Sequence, residues 1–128
     1  MRFILGIAKL ESSYILQCMI DLTRFDPALF AENAGRAAEL LRALSNEKRL
    51  MVLCQLADGE LSVGEIQQRI DLSQSALSQH LAVLRDQGIV ATRRQAQTIF
   101  YRIEDRAALR VIQTLAELFC PPELRTPS

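Results

Sequence analysis

Apolar positions recur at helical spacing through the first two thirds of the chain, give way to two β-prone runs, and return to helical spacing near the end. The first periodic stretch opens at Asp26-Pro27, where Asp can cap and Pro suits the first helical position. It runs to about Ala43, and Leu29, Ala37, Leu40, Leu41 and Leu44 give it a wide apolar arc that Gly35 weakens slightly. Ser45 is the expected cap of a second helix over about 46–57, with Leu50, Leu53, Cys54 and Ala57 on one face and Asp58-Gly59 at its end. Ser62-Val63-Gly64-Glu65 has the form of a capping box and opens a short helix to about Arg69. Asp71-Leu72 predicts a tight turn, after which Ser73 caps a helix through about Asp86, and Gly88 stops it. Leu77, Leu81 and Leu84 form the inward stripe of that helix. Ile89 to Arg94 and Thr98 to Ile103 predict a hairpin around Gln95-Ala96-Gln97, whose lack of Asn-Gly leaves the turn type unassigned. A last helix over about 105–119 reaches Cys120 ahead of Pro121-Pro122.

Two short helices joined by a tight turn make a helix-turn-helix, and a hairpin directly after the second makes it winged. The expected fold is therefore mainly α with a small β-hairpin wing. Residues 1–25 read as an extension that is flexible, 26–120 as a winged helix-turn-helix DNA-binding domain, and 121–128 as a loose tail.

The chemistry follows from where such a helix goes. It fits the major groove of double-stranded DNA, and its N-terminal side chains reach base edges. Here those are Gln74, Ser75, Ser78 and Gln79, with Ser75 and Gln79 opposite the leucine stripe and Ser78 on its flank. Gln can pair with adenine through two hydrogen bonds, and the N–H groups beside Ser73 favour a phosphate. His80, the only histidine, sits beside the stripe as a packing or phosphate-contacting residue. Arg93 and Arg94 lie on the wing, within reach of phosphate or the minor groove. The whole chain has no net charge, but residues 69–102 carry a net +3. The same pattern also suits a solvated helix and hairpin in some other small α+β protein.

Length and composition, 128 residues with 49% apolar and 23% charged, fit one globular domain. The run Phe3 to Ala8 is too short for a signal peptide and is followed by Lys9 and Glu11. No run nears the ~18 apolar residues of a membrane span. Met19 is an alternative start in this reading. Three sparse cysteines, at 18, 54 and 120, form no disulfide framework and fit a reducing cytoplasm. There is no C-x-x-C motif, Ser–His–Asp set or Gly-rich phosphate loop, so an enzyme is not expected, nor a cofactor.

Residues 36–104 closely resemble the ArsR/SmtB family of bacterial repressors. The resemblance rests on Leu40 to Leu50 (LLRALSNEKRL), Leu72 to Arg85 (LSQSALSQHLAVLR), Gly88-Ile89-Val90 and Ile99 to Ile103 (IFYRI). It implies an operator-binding homodimer, paired through its first and last helices and released by a metal or a small thiol-reactive inducer. The last helix favours a dimer independently. Leu109, Ile112, Ala116, Phe119 and Cys120 share one arc, and Val111, Leu115 and Leu118 widen it to roughly 200°, beyond the ~100° that covers one core.

Metal sensing through the family's usual sites lacks its ligands. The stretch Leu61 to Glu65 has no Cys-x-Cys, and no histidine lies on the last helix, so the four-ligand zinc sites cannot form. Cys54 and Cys120 remain. Each lies on an apolar face, where a small buried hydrophobe is the commonest fate of a cysteine, and no Lys or Arg cluster activates either. A second resemblance changes the weighing. The persulfide-responsive subgroup of BigR, SqrR and YgaV type, with the related HlyU type, carries cysteines in text like Val52 to Leu56 (VLCQL) and Leu118 to Pro121 (LFCP). It implies that Cys54 and Cys120 join through a disulfide or polysulfide bridge when they meet sulfane sulfur. Sensing of arsenite or another thiophilic agent, activation by displacing a silencer, and a protein-interaction winged helix without DNA affinity are the competing readings.

Overall fold

The structure, a computed structural model, describes residues 26–120. The expectations for residues 1–25, Cys18 and Met19 included, and for 121–128 lie outside them. The order of elements is α1 (Pro27–Leu44), α2 (Glu47–Leu56), β1 (Leu61–Ser62), α3 (Val63–Arg69), α4 (Gln74–Asp86), β2 (Val90–Gln95), β3 (Thr98–Ile103) and α5 (Arg106–Phe119). Residues 26–37 and 38–120 belong to different compact units, and α1 runs through the division. In the first unit Asp26 accepts the Ala28 N–H at 2.9 Å, and Leu29 and Phe30 are exposed.

The second unit is organised by its caps. Asn46 caps α2, its Oδ1 accepting from the backbone N–H of Lys48 and Arg49 at 2.9 and 3.0 Å. This corrects the expectation of Ser45: the Ser45 N–H still bonds the Arg42 carbonyl, so Ser45 belongs to the closing turn of α1. The Ser62–Glu65 capping box forms in full, at 3.1 and 3.0 Å. Ser73 accepts from the Ala76 N–H at 3.2 Å, and Asp105 caps α5 at 2.8 Å. Gly88, at φ +72°, ends α4 in a Schellman motif, with Gly88 N–H on the Arg85 carbonyl and Ile89 N–H on the Leu84 carbonyl, both at 2.9 Å. The Ile89 carbonyl then accepts from Glu104 and Asp105, which fixes the start of α5 against the end of α4.

The sheet has three antiparallel strands in the order β1-β3-β2. Strand β1, two residues that pair Leu61 with Tyr101 and Ser62 with Phe100, was not expected. In the wing Gln95 pairs with Thr98, so only Ala96 and Gln97 form the turn. Ala96 takes φ +56°, as a two-residue hairpin turn demands of its first residue.

Leu44, Val52, Leu53, Leu56, Leu61, Ile66, Ile70, Leu77, Leu81, Leu84, Ile89, Val90, Ala108 and Ile112 fill one core with Ala43. No polar or charged residue among the described ones is buried. The expected stripe of α4 is the buried one. In α5 the inward pair is Ala108 and Ile112, whereas Phe119, expected to share that arc, is 77% exposed. Among the described residues no helix is long and apolar enough to cross a membrane.

Candidate nucleic-acid interface and thiol cavity

Burial of Leu77, Leu81 and Leu84 fixes the rotation of α4 about its axis. The outward stripe is therefore Ser75, Ser78, Gln79, Ala82 and Asp86, all exposed, with Gln74 exposed at the helix start. The side chains expected to read bases thus share one solvent-facing surface with the helix N-terminus. Ser73 Oγ serves the cap and lies 3.4 Å from Ser75 Oγ, so its first duty is structural. His80 is half-buried at the edge of this face. Burial first, and the nearby Arg49 charge second, hold its pKa below the ordinary histidine value, which favours the neutral ring at pH 7. Arg49 itself donates to the Ala43 carbonyl at 2.6 Å and the Arg42 carbonyl at 3.4 Å, completing the C-terminus of α1.

The two wing arginines differ. Arg94 is exposed, pairs across the hairpin with Ile99, and has no ion pair among the described residues. The Arg93 guanidinium is engaged on three sides: by the Glu60 carboxylate, by Gln95 Oε1 at 2.9 Å, and by the Phe100 ring, 4.6 Å from its centroid. The Arg93 hydrogen bonds hold the Glu60 carboxyl below the usual carboxylate range. Arg102 pairs with Glu104 at 3.2 Å. Two of the five arginines behind the local positive charge are thus matched by glutamates just outside that stretch. Glu60 carried no signal in the sequence, because it stands 33 residues from its partner.

Cys54 and Cys120 come together. They line one cavity of about 340 Å³ between α2 and α5, with Ala57, Asp58, Ile112, Gln113 and Ala116. Both are thiols and both are exposed, which does not fit the alternative of small buried hydrophobes. Cys54 follows the buried pair Val52 and Leu53 and so points off the core, while Cys120 stands just past the last turn of α5. Partial burial in the cavity, then the neighbouring Cys120, push the Cys54 thiol pKa up. Among the described residues no group of three or more His, Cys, Asp or Glu is arranged to hold a metal.

Residues 46–92, from the cap of α2 into the first strand of the wing, match the bacterial regulatory protein arsR family. The transcriptional activator HlyU of Vibrio cholerae is 52% identical over 89 residues, spanning 70% of this chain and 82% of that protein. The chain belongs to the arsR family of bacterial regulatory proteins. Its fold agrees with solved members. Reduced HlyU from Vibrio cholerae superposes with a TM-score of 0.68 at 50% identity, over 71% of this chain and 96% of that one. The transcriptional repressor BigR from Xylella fastidiosa gives 0.71 at 43%, over 75% and 98%. A homodimeric winged helix-turn-helix DNA-binding domain from Mycobacterium bovis, a possible ArsR-family regulator, gives 0.61 at 29%, over 73% and 86%. This ArsR-family protein is accordingly a transcriptional regulator with a winged helix-turn-helix, in which α3 and α4 are the helix-turn-helix and β2–β3 the wing.

Proposed function

We propose that this regulator is a homodimeric, operator-binding repressor released when sulfane sulfur or an oxidant links Cys54 to Cys120. The observation that carries this reading is that two cysteines 66 positions apart in the sequence line one cavity between α2 and α5. On the DNA side, Gln74, Ser75, Ser78 and Gln79 read base edges. Ser73, His80 and the N-terminus of α4 lie at phosphate, and the wing that carries Arg93 and Arg94 lies along the backbone. The dimer forms through α1 and α5, in line with the homodimeric relative and with the exposed Leu118 and Phe119. That a relative has been studied as reduced HlyU supports thiol chemistry at the same fold.

The switch balances chemically. The thiolate of one cysteine takes the outer sulfur of an organic persulfide, forming a cysteine persulfide and releasing the thiol. The other cysteine then attacks the inner sulfur of that persulfide, closes a disulfide and releases hydrogen sulfide. The bridge draws the end of α5 toward α2 and biases the packing that holds the two α4 helices on their half-sites. About 1–3 kcal/mol of coupling changes affinity 5- to 150-fold, enough for regulation. A second reading, favoured by the 52% identity to an activator, is that the same DNA occupancy displaces a silencer and so raises transcription.

The test is a DNA-binding titration, with and without an organic persulfide, on a duplex selected from a random pool by the wild-type protein. Cys54→Ser and Cys120→Ser should bind as wild type and ignore the persulfide. Full release in either variant removes the pair from the switch. Release by arsenite alone identifies the inducer as another thiophile.

A further inference from the structure

The face of the sheet that looks away from the core carries a clamp that the DNA reading does not use. The pairing register puts Ser62, Phe100, Arg102, Ala91 and Arg93 on this face, and Glu60 joins them through its hydrogen bonds to Arg93. Leu61, Val90, Thr92, Arg94, Ile99 and Tyr101 lie on the other, whose root is buried in the core. From β2, Arg93 reaches across β3 to the residue that precedes β1. Its Nε lies 3.0 and 3.3 Å from the two Glu60 oxygens, its Nη2 donates to the first of them, and Phe100 of β3 lies beneath the guanidinium. Nη1 holds Gln95, the last residue before the turn. One side chain therefore ties all three strands together from the tip side of the hairpin to the loop after α2.

We infer that Arg93 is a positioning residue and not a phosphate contact: with Glu60 and Phe100 it sets the angle at which the wing leaves the body, and Arg94 delivers the wing's charge to DNA. This deepens, and rests on, the DNA-binding reading. An exposed ion pair adds little to global stability. The hairpin, however, extends past the core, and at Arg93 to Thr98 every residue is exposed, so packing does not hold it there. Two guanidinium nitrogens held by one carboxylate restrain direction as well as distance. The donors aimed at Glu60 and Gln95 are those a phosphate would otherwise take. Arg94 lies on the sheet face whose root packs with α4, the helix expected in the groove.

The experiment has two arms, both on the full chain. In the first, backbone ¹⁵N relaxation is measured without DNA. Order parameters at Ala96 and Gln97 should fall in Glu60→Ala and in Arg93→Gln, toward the ~0.6 of flexible backbone, and stay as wild type in Arg94→Gln. Unchanged values in Glu60→Ala overturn the clamp whether or not the protein binds DNA. In the second, affinity for the selected duplex is followed against salt. Arg94→Gln should lower the slope of log affinity on log salt by about one unit. Arg93→Gln and Glu60→Ala should each weaken binding several-fold with the slope unchanged, and combining them should add nothing. The exchanged pair, Glu60→Arg with Arg93→Glu, should restore binding. Removing a carboxylate near DNA would by itself tighten phosphate binding, so tighter binding by Glu60→Ala, or a unit loss of slope in Arg93→Gln, overturns the assignment. Failure of the wild-type protein to bind any duplex would sink the DNA reading alone, since relaxation still judges the clamp.

Discussion

Helices α4 and α5 have 13 and 14 residues, and each carries an apolar side, yet they use it differently. In α4 the stripe Leu77, Leu81 and Leu84 is buried at 0–2% exposure, and the Schellman motif closes the helix on the core. Its remaining surface is mostly polar and available, with Val83 the one large apolar side chain exposed on it. In α5 only Ala108 and Ile112 are buried, and the last turn leaves Leu118 and Phe119 at 68% and 77% exposure. The apolar demand of α4 is met inside one chain, and that of α5 is not. The surface proposed to face DNA is thus complete in a single chain, while the end of α5 leaves apolar surface for a second copy to cover in the proposed dimer. The thiol pair sits at the junction of these two conditions, one cysteine on core-packed α2 and one at the unfinished end of α5.

The difference can be broken by substitution. Leu77→Ala, at a fully buried site, should cost about 2–5 kcal/mol in urea unfolding. Leu118→Ala should act instead on self-association, weakening the dimer by about 1–2 kcal/mol, roughly tenfold, with subunit helicity retained. Sedimentation equilibrium reads this directly, and an unchanged association constant would make the α5 surface something other than a dimer face. Ser73→Ala removes the cap of α4 and should lower stability by about 1 kcal/mol without touching association.

The smallest effect is with pH. The His80 pKa is depressed in the fold, so its contribution to stability is present above the ordinary histidine value and is lost as pH falls through the lowered one. Between pH 7 and 5 thermal unfolding should therefore move downward in wild type more than in His80→Gln. Because α5 has no histidine, association should not follow the same curve.

What the sequence made legible was local. The capping box at Ser62, the Ser73 cap, the Gly88 stop and the leucine stripe each depend on residues within a turn or two, and each is present. What it hid depended on distance or on a choice between neighbours. Ser45 and Asn46 are both good caps, and only the run-on of the closing turn of α1 decides for Asn46. Strand β1 is too short to show alternation, and Ser62 serves in it and as a cap at once. The exposure of Cys54 turned on which side of α2 meets the core, since Leu50, Leu53 and Ala57 and the buried Val52 and Leu56 admit more than one rotation. The Glu60–Arg93 pair needed the sheet itself. For the site, the reading of α4 rests on its stripe, while the meeting of Cys54 and Cys120 came from resemblance and not from spacing.

The absence of any buried polar or charged residue among the described ones bears on how a chemical signal can enter this protein. An interior without ionisable groups has no proton to gain or lose, so acid, salt and oxidants find nothing to act on there. Messages can be written only on the outer layer: a thiol at a cavity mouth, a carboxylate under a wing, an imidazole at a helix edge. The hydrocarbon interior then behaves as a stiff casting between those points, since close-packed side chains transmit displacement with little compression. In such a molecule, chemical reception and mechanical transmission are assigned to different materials, and the vocabulary of inducers can change by surface substitution while the casting stays the same.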